Sequence, residues 1–309
     1  MQVSTSREIR SEVSEHRHPA QRVFWRCICL VFLCPSLSEA ADPATLVVTT
    51  PVANLYLMPT EDSAVVSQAV YGSNVIVLEE KPGWAKIQTP DHYSGWLLLD
   101  QARRLSGSHY ASSGRVLQVS GLSANLYREP DVTVHRPVIT VPYETRLEVL
   151  SEGKGGSAGW FEVQLADDRS AWIDHDDVVS DPRPLNLDES IELGKRFLGV
   201  TYTWGGRSSF GFDCSGFTQM LLRSRGINMP RDADLQAAWD GVVAVDRKHL
   251  RAGDLLFFGS AADHITHTGM FIGHGQFIHD TTYGHPGVKI SRLKDQPWKR
   301  LLVACRRIK

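Results

Sequence analysis

Phe212-Asp-Cys-Ser-Gly-Phe-Thr-Gln219 is the stretch on which the rest of the chain depends. It follows the turn-forming run Trp204-Gly-Gly-Arg207 and opens an apolar-periodic segment (Phe217, Met220, Leu221, Leu222) that Gly226 is placed to stop. The pattern predicts a loop passing into a helix, with Cys214 in the first helical turn. There the unpaired backbone N–H groups and the positive end of the helix dipole favour an anion. A thiol so placed is expected to be acidic, partly exposed and nucleophilic. The plainer alternative is a small cysteine buried against a core.

Two segments downstream bear on that choice: Thr266-His-Thr-Gly-Met-Phe-Ile-Gly273 and Gly275-Gln-Phe-Ile-His-Asp280. Both read as short strands bounded by glycines, each carrying one histidine. A cysteine nucleophile needs a base, and the base needs a third group to fix its tautomer. His267 and His279 on neighbouring strands, facing the start of the cysteine helix, fill both roles. Zinc bound by Cys214, His267 and His279 is the competing chemistry, since these are its preferred ligand types. No pair here has a short finger-type or H-E-x-x-H spacing, and a fourth ligand would have to come from His264 or His285.

Tyr202-Thr-Trp-Gly-Gly, Asp213-Cys-Ser-Gly-Phe, Pro230-Arg-Asp-Ala, Arg251-Ala-Gly-Asp-Leu-Leu-Phe-Phe, His267-Thr-Gly-Met-Phe-Ile-Gly and Phe277-Ile-His occur in this order. Together they resemble the NlpC/p60 family of papain-like cell-wall peptidases, across residues 185–309. The residues themselves predict helices, including one capped by Asp188 and one from Pro230 to Trp239, followed by a strand-rich end. That order is an α+β arrangement, and the papain-like fold implied by the resemblance fits it.

Residues 45–181 contain an internal repeat. Ala53-Asn-Leu-Tyr56 with Pro59 recurs as Ala124-Asn-Leu-Tyr127 with Pro130, and Gly83-Trp84 with Trp96 recurs as Gly159-Trp160 with Trp172. Short alternating segments separated by turns indicate small antiparallel barrels, with most of the tryptophans packed in cores. Two such all-β units, 45–106 and 110–181, resemble bacterial SH3-like domains. Asp181-Pro-Arg-Pro184 is the expected linker.

Residues 1–40 have a secretory layout: arginines, the apolar run Cys27–Cys34 and small residues before a cleavage site after Ala40. The apolar run is too short to span a bilayer, so the mature protein is expected to be exported, periplasmic or at the cell wall, with no membrane span. Only Cys214 and Cys305 remain after cleavage, and a disulfide between them would disable the nucleophile. With 42% hydrophobic and 22% charged residues over 309, the chain has the composition of a globular protein of two or three domains. A net charge of −2 excludes the basic footprint of a nucleic-acid binder. A monomer without cofactor is expected.

The resemblance implies an enzyme in which Cys214 attacks a peptide carbonyl, His267 accepts its proton and His279 orients His267. The Cys214 N–H and the Tyr202 hydroxyl would hold the oxyanion. Family members cut peptidoglycan stem peptides between γ-D-glutamate and a diamino acid, diaminopimelate or lysine. Those with two SH3-like domains resemble dipeptidyl endopeptidases that require a free N-terminal L-alanine. By the same resemblance Tyr93, Asp213, Ser215, Arg231 and Asp232 would contact substrate. The chain departs from the pattern at Met58, where an acid is usual, and at Ala233, where a serine is usual. A non-catalytic wall-binding protein, or an amidase or acyltransferase on the same fold, are the alternatives.

Overall fold

The computed structural model describes residues 44–309, so the secretory layout of residues 1–40 lies outside it. The repeat becomes two separate β units. In the first, seven antiparallel strands run from Thr45–Val48 to Ala102–Arg104 around Leu46, Val48, Leu55, Val75, Ile87 and Leu97. In the second, five strands between Val116–Val119 and Val178–Ser180 and the hairpin Ser123–Leu126/Ile139–Pro142 enclose Leu117, Leu126, Val141, Leu147, Val163 and Ile173.

The repeated aromatic residues meet in the same way in both. Tyr56 lies opposite Trp96 and edge-on to Trp84 at 5.5 Å. Tyr127 lies opposite Trp172 and edge-on to Trp160 at 5.9 Å. Such pairs prefer this T-shaped geometry. Core packing, however, holds only for Trp96 among the four; Trp84, Trp160 and Trp172 are half-buried.

Residues 182–186 carry no helix or strand, as the two prolines of the linker require. The helix that follows spans Leu187–Arg196, and its cap is Asn186 rather than Asp188. The Asn186 side chain accepts from the Glu189 N–H and the Glu189 carboxylate accepts from the Asn186 N–H, a reciprocal box that Asp188 has no partner to build. The Pro230–Trp239 segment is helical only over Ala233–Ala238; Asp232, not the proline, marks its start.

The central element is the helix Cys214–Arg223, buried from Cys214 through Leu222. It packs on a six-stranded antiparallel sheet, ordered 242–244, 302–308, 255–261, 264–273, 276–281, 287–292. The period of two sorts the strand residues. Leu255, Phe257, Met270, Ile278 and Val288 join the core around this helix. Leu256, Phe258, Phe271, Phe277 and Cys305 form a second cluster with Leu293 and Trp298.

The first β unit docks on the region before and after this helix through buried polar contacts. Asp91 pairs with Arg207 at 3.2 Å and accepts from the Gln219 amide at 3.1 Å. Gln68 accepts from the Arg207 N–H. Burial opposes the Asp91 charge, but Arg207, the Thr89 hydroxyl and Gln219 hold its carboxyl below the usual range. The second β unit touches the same domain through Glu144–Arg223 at 2.5 Å and Tyr143 N–H to the Ser209 hydroxyl at 2.9 Å.

Candidate active site

Asp213 caps the central helix, its carboxylate accepting from the Gly216 N–H at 2.7 Å, which makes Cys214 the first helical residue. A side chain at Gly216 would meet the Gly206 carbonyl oxygen at 2.1 Å, so glycine is what lets the Gly205-Gly206 loop lie against the helix start. Cys214 and Cys305 are both free thiols. Cys214 is only 7% exposed. Burial pushes its thiol up to about 12, with Asp213 adding to the shift; the Thr268 and Ser215 N–H groups and Arg231 act in the opposite direction. The expected partial exposure is therefore corrected: the thiol is buried, and desolvation and a neighbouring carboxylate oppose the thiolate that the helix start favours.

His267 and His279 form one chain with a residue the sequence did not single out. His267 Nε2 is 2.8 Å from His279 Nδ1, and His279 Nε2 is 2.9 Å from the Ser291 hydroxyl. With Ser291 accepting and His279 donating to it, His279 Nδ1 accepts from His267 Nε2–H and His267 Nδ1 keeps its lone pair. A side chain at Gly269 would press on His279 Cβ at 2.8 Å, so the glycine makes room for that ring. Trp298, 6% exposed, frames both rings: His267 stacks on it at 5.1 Å and His279 meets it edge-on at 4.7 Å. His267 is half-buried at its surface yet enclosed by Phe258, His279 and Trp298. Burial pushes it down to about 3 and pushes His279 well below the ordinary value. Burial thus favours the neutral form of both rings. Thr268, whose backbone N–H favours the thiolate, is next to His267 in the chain, but no hydrogen bond joins the thiol to the His267 ring.

The remaining candidates divide into two groups. Arg231 is 2% exposed, and all five of its donors are engaged: two on Asp213, one each on the Ser215 hydroxyl, the Gly206 carbonyl and the Ser67 hydroxyl of the first β unit. It has none left for a substrate; it holds Asp213, Ser215 and the first β unit to the helix start. Ser215 lies inside this network, donating to Asp213.

Asp232 differs. It starts a helix without capping it, and its carboxylate instead accepts from the Tyr93 hydroxyl of the first β unit at 3.3 Å. Burial lifts its carboxyl above the usual range despite Arg231 and Tyr93, while burial and Asp232 push Tyr93 up to about 12. Tyr202 is half-buried; burial, followed by the nearby Cys214, Asp213 and Asp280, raises its hydroxyl.

Asp280 was also not singled out. It is fully buried, neither carboxyl oxygen makes a well-formed hydrogen bond, and burial pushes it up to about 8 against the opposing effect of the nearby Thr281 N–H. Among the described residues no three His, Cys, Asp or Glu side chains converge as metal ligands. No helix there is long and apolar enough to cross a membrane.

The NlpC/P60 family model matches residues 199–307, and the bacterial dipeptidyl-peptidase Sh3 domain model matches residues 55–101. A γ-D-glutamyl-L-lysine dipeptidyl-peptidase of Bacillus cereus is 35% identical over 229 residues, 69% of this chain and 66% of that protein. A Bacillus subtilis protein of the same name is 29% identical over 80% of this chain and 82% of its own length. The crystal structure of an NlpC/P60 family protein from Bacillus cereus superposes with a TM-score of 0.74 at 27% identity, covering 85% of this chain and 99% of that one.

Proposed function

The chain belongs to the NlpC/P60 family through residues 199–307, and on that premise we propose that it is a cysteine peptidase that cuts peptidoglycan stem peptides between γ-D-glutamate and the diamino acid, acting on peptides with a free N-terminal L-alanine. The observation that carries this reading is the Tyr93–Asp232 hydrogen bond, which sets a carboxylate and a phenol beside the Asp213–Cys214 helix start. A free ammonium at that end gains from both groups; an acylated nitrogen gains little and brings bulk. The secretory layout of residues 1–40 supports work outside the cytoplasm.

The chemistry starts from a neutral pair. His267 Nδ1 takes the thiol proton as Cys214 Sγ attacks the γ-glutamyl carbonyl carbon. The developing imidazolium is held through its Nε2–H by His279, which Ser291 in turn orients. Charge on the carbonyl oxygen falls to the Cys214 N–H, which has no intrahelical acceptor at the first position, and to the Tyr202 hydroxyl. The C–N bond then breaks, the departing amine takes the proton from His267, and a thioester remains. Water, giving its proton to His267, attacks the thioester and releases the dipeptide. A consequence of the neutral resting pair is that iodoacetamide inactivation accelerates steadily from pH 6 to pH 10. A plateau near neutral pH would instead mean a preformed thiolate.

The reaction itself is tested with L-Ala-γ-D-Glu-meso-diaminopimelate and its lysine analogue, with products read by mass spectrometry. The expected products are L-Ala-D-Glu and the free diamino acid from at least one of the two, and none with Cys214→Ala. Intact peptides, or cleavage at the alanine bond, would overturn the proposal.

A further inference from the structure

At the far end of the strand that carries His279 lies a cavity of 590 Å³ lined by Arg247, His274, Gly275, Gln276, Arg292, Leu293, Lys294 and Lys299. Gln276 begins that strand, and the three residues from there to His279 span ~10 Å at the usual strand rise. The lining contains four permanent cations and a histidine, and no carboxylate. The chain as a whole carries a net charge of −2, so this concentration does not follow from composition. Arg292, Lys294 and Lys299 are exposed and take part in no ion pair among the described residues.

The nearest acids in sequence are turned to other uses or stand outside. Asp246 caps the Lys248 N–H at 2.7 Å, and Asp295 is not part of the lining. The framework is tied together: Arg247 donates to the Lys299 and Leu293 carbonyl oxygens at 3.3 and 3.4 Å, and the Leu293 N–H donates to Gly275 at 2.8 Å. His274 and Gly275 both have positive φ, 51° and 71°, the tight hairpin turn that fixes the rim.

Like charges converging without a counter-charge repel, and they are relieved by an anion that several of them can reach together. Guanidinium and ammonium groups around one cavity suit oxygens of a phosphate, which accept from both. We propose that this cavity binds a phosphate-bearing polyanion, a diphosphate or the successive phosphodiesters of a polymer, and so attaches the enzyme to a phosphate-bearing ligand without occupying the cysteine cleft. This inference does not depend on the peptide specificity proposed above.

The test is calorimetric titration of the full chain with inorganic pyrophosphate at low ionic strength, beside co-sedimentation with a soluble phosphodiester polymer and with phosphatidylglycerol vesicles. Saturable 1:1 pyrophosphate binding is expected, weakened about tenfold by Lys294→Gln alone and abolished by the Arg292→Gln/Lys294→Gln/Lys299→Gln variant, with tripeptide hydrolysis unchanged. The matched control Lys81→Gln/Lys86→Gln, on the first β unit, keeps wild-type binding. If the triple variant fails to fold, the single variants decide. Polymer retention that follows the same variants identifies a polymer-borne phosphate; pyrophosphate binding alone identifies a free one. No saturable binding, binding unaffected by Lys294→Gln, or retention on vesicles with none by pyrophosphate or polymer would overturn the proposal.

Discussion

The two β units share an architecture and differ in what their corresponding turns do. Three residues before the second tryptophan of each repeat stands Tyr93 in the first unit and Arg169 in the second; five residues before it stand Asp91 and Asp167. Asp91 is half-buried against Arg207 of the catalytic domain, and Tyr93 reaches Asp232. Asp167 pairs instead with Arg169 of its own turn, in the open. The aromatic Tyr–Trp contact that builds the unit is the same in both. Scaffold residues thus repeat, and the residues that dock a unit on the catalytic domain do not.

Asp91→Ala against Asp167→Ala is the substitution pair with the largest expected contrast. The first leaves Arg207 buried without its counter-charge and is expected to cost about 3–5 kcal/mol in chemical denaturation. The second is expected to change stability by about 0.5 kcal/mol or less. Comparable losses would mean that the Asp91 contact is no more structural than its exposed counterpart.

Asp280 sharpens the contrast from the opposite side, being a buried acid without a well-formed hydrogen bond. Its folded value, pushed up to about 8, lies above the unfolded one, so the folded state binds the extra proton between pH ~4 and ~8. The stability this carboxyl contributes is fully present below pH ~4 and lost as pH rises through ~8. Asp280→Asn is therefore expected to gain on the order of 2–4 kcal/mol at neutral pH relative to wild type, and little at pH 4. A gain that did not depend on pH would point to packing rather than ionisation.

Trp84→Leu and Trp160→Leu should show the smallest difference. Each loses one edge-on aromatic contact of about 1 kcal/mol, and the two melting shifts should agree closely. A much larger loss in one unit would show that the repeated pair has been recruited to different work.

The sequence made legible what depends on local pattern. The helix start at Cys214, the two histidine strands, the proline linker and the duplicated β units all follow from periodicity, turn residues and repeated spacing. What it left unread depends on three-dimensional pairing. Ser291 joins the histidines through the register of two strands, Phe277 opposite Ser291 and His279 opposite Lys289. Trp298 reaches the same rings from the connection between strands 287–292 and 302–308. Arg231 reads as a ligand contact until its five donors are traced into the fold. The Asn186 cap was legible in principle from Glu189 three residues on, and Asp188 was the weaker choice. The burial of Cys214, 7% exposed, was not legible, because it depends on how the sheet packs against the helix start and not on the local pattern that predicts the helix.

The central claim is that the first β unit, and not the second, selects a free amine at the cleft. It is tested most directly by the ratio of kcat/KM for L-Ala-γ-D-Glu-meso-diaminopimelate to that for its N-acetyl form, in wild type, Tyr93→Phe and Arg169→Ala. Losing one hydrogen bond near a charged group is worth about 1.5–3 kcal/mol. The ratio is thus expected to strongly favour the free amine in wild type, to fall by about tenfold or more in Tyr93→Phe, and to stay unchanged in Arg169→Ala. A wild-type ratio near one, or a ratio that Tyr93→Phe leaves intact, would contradict it.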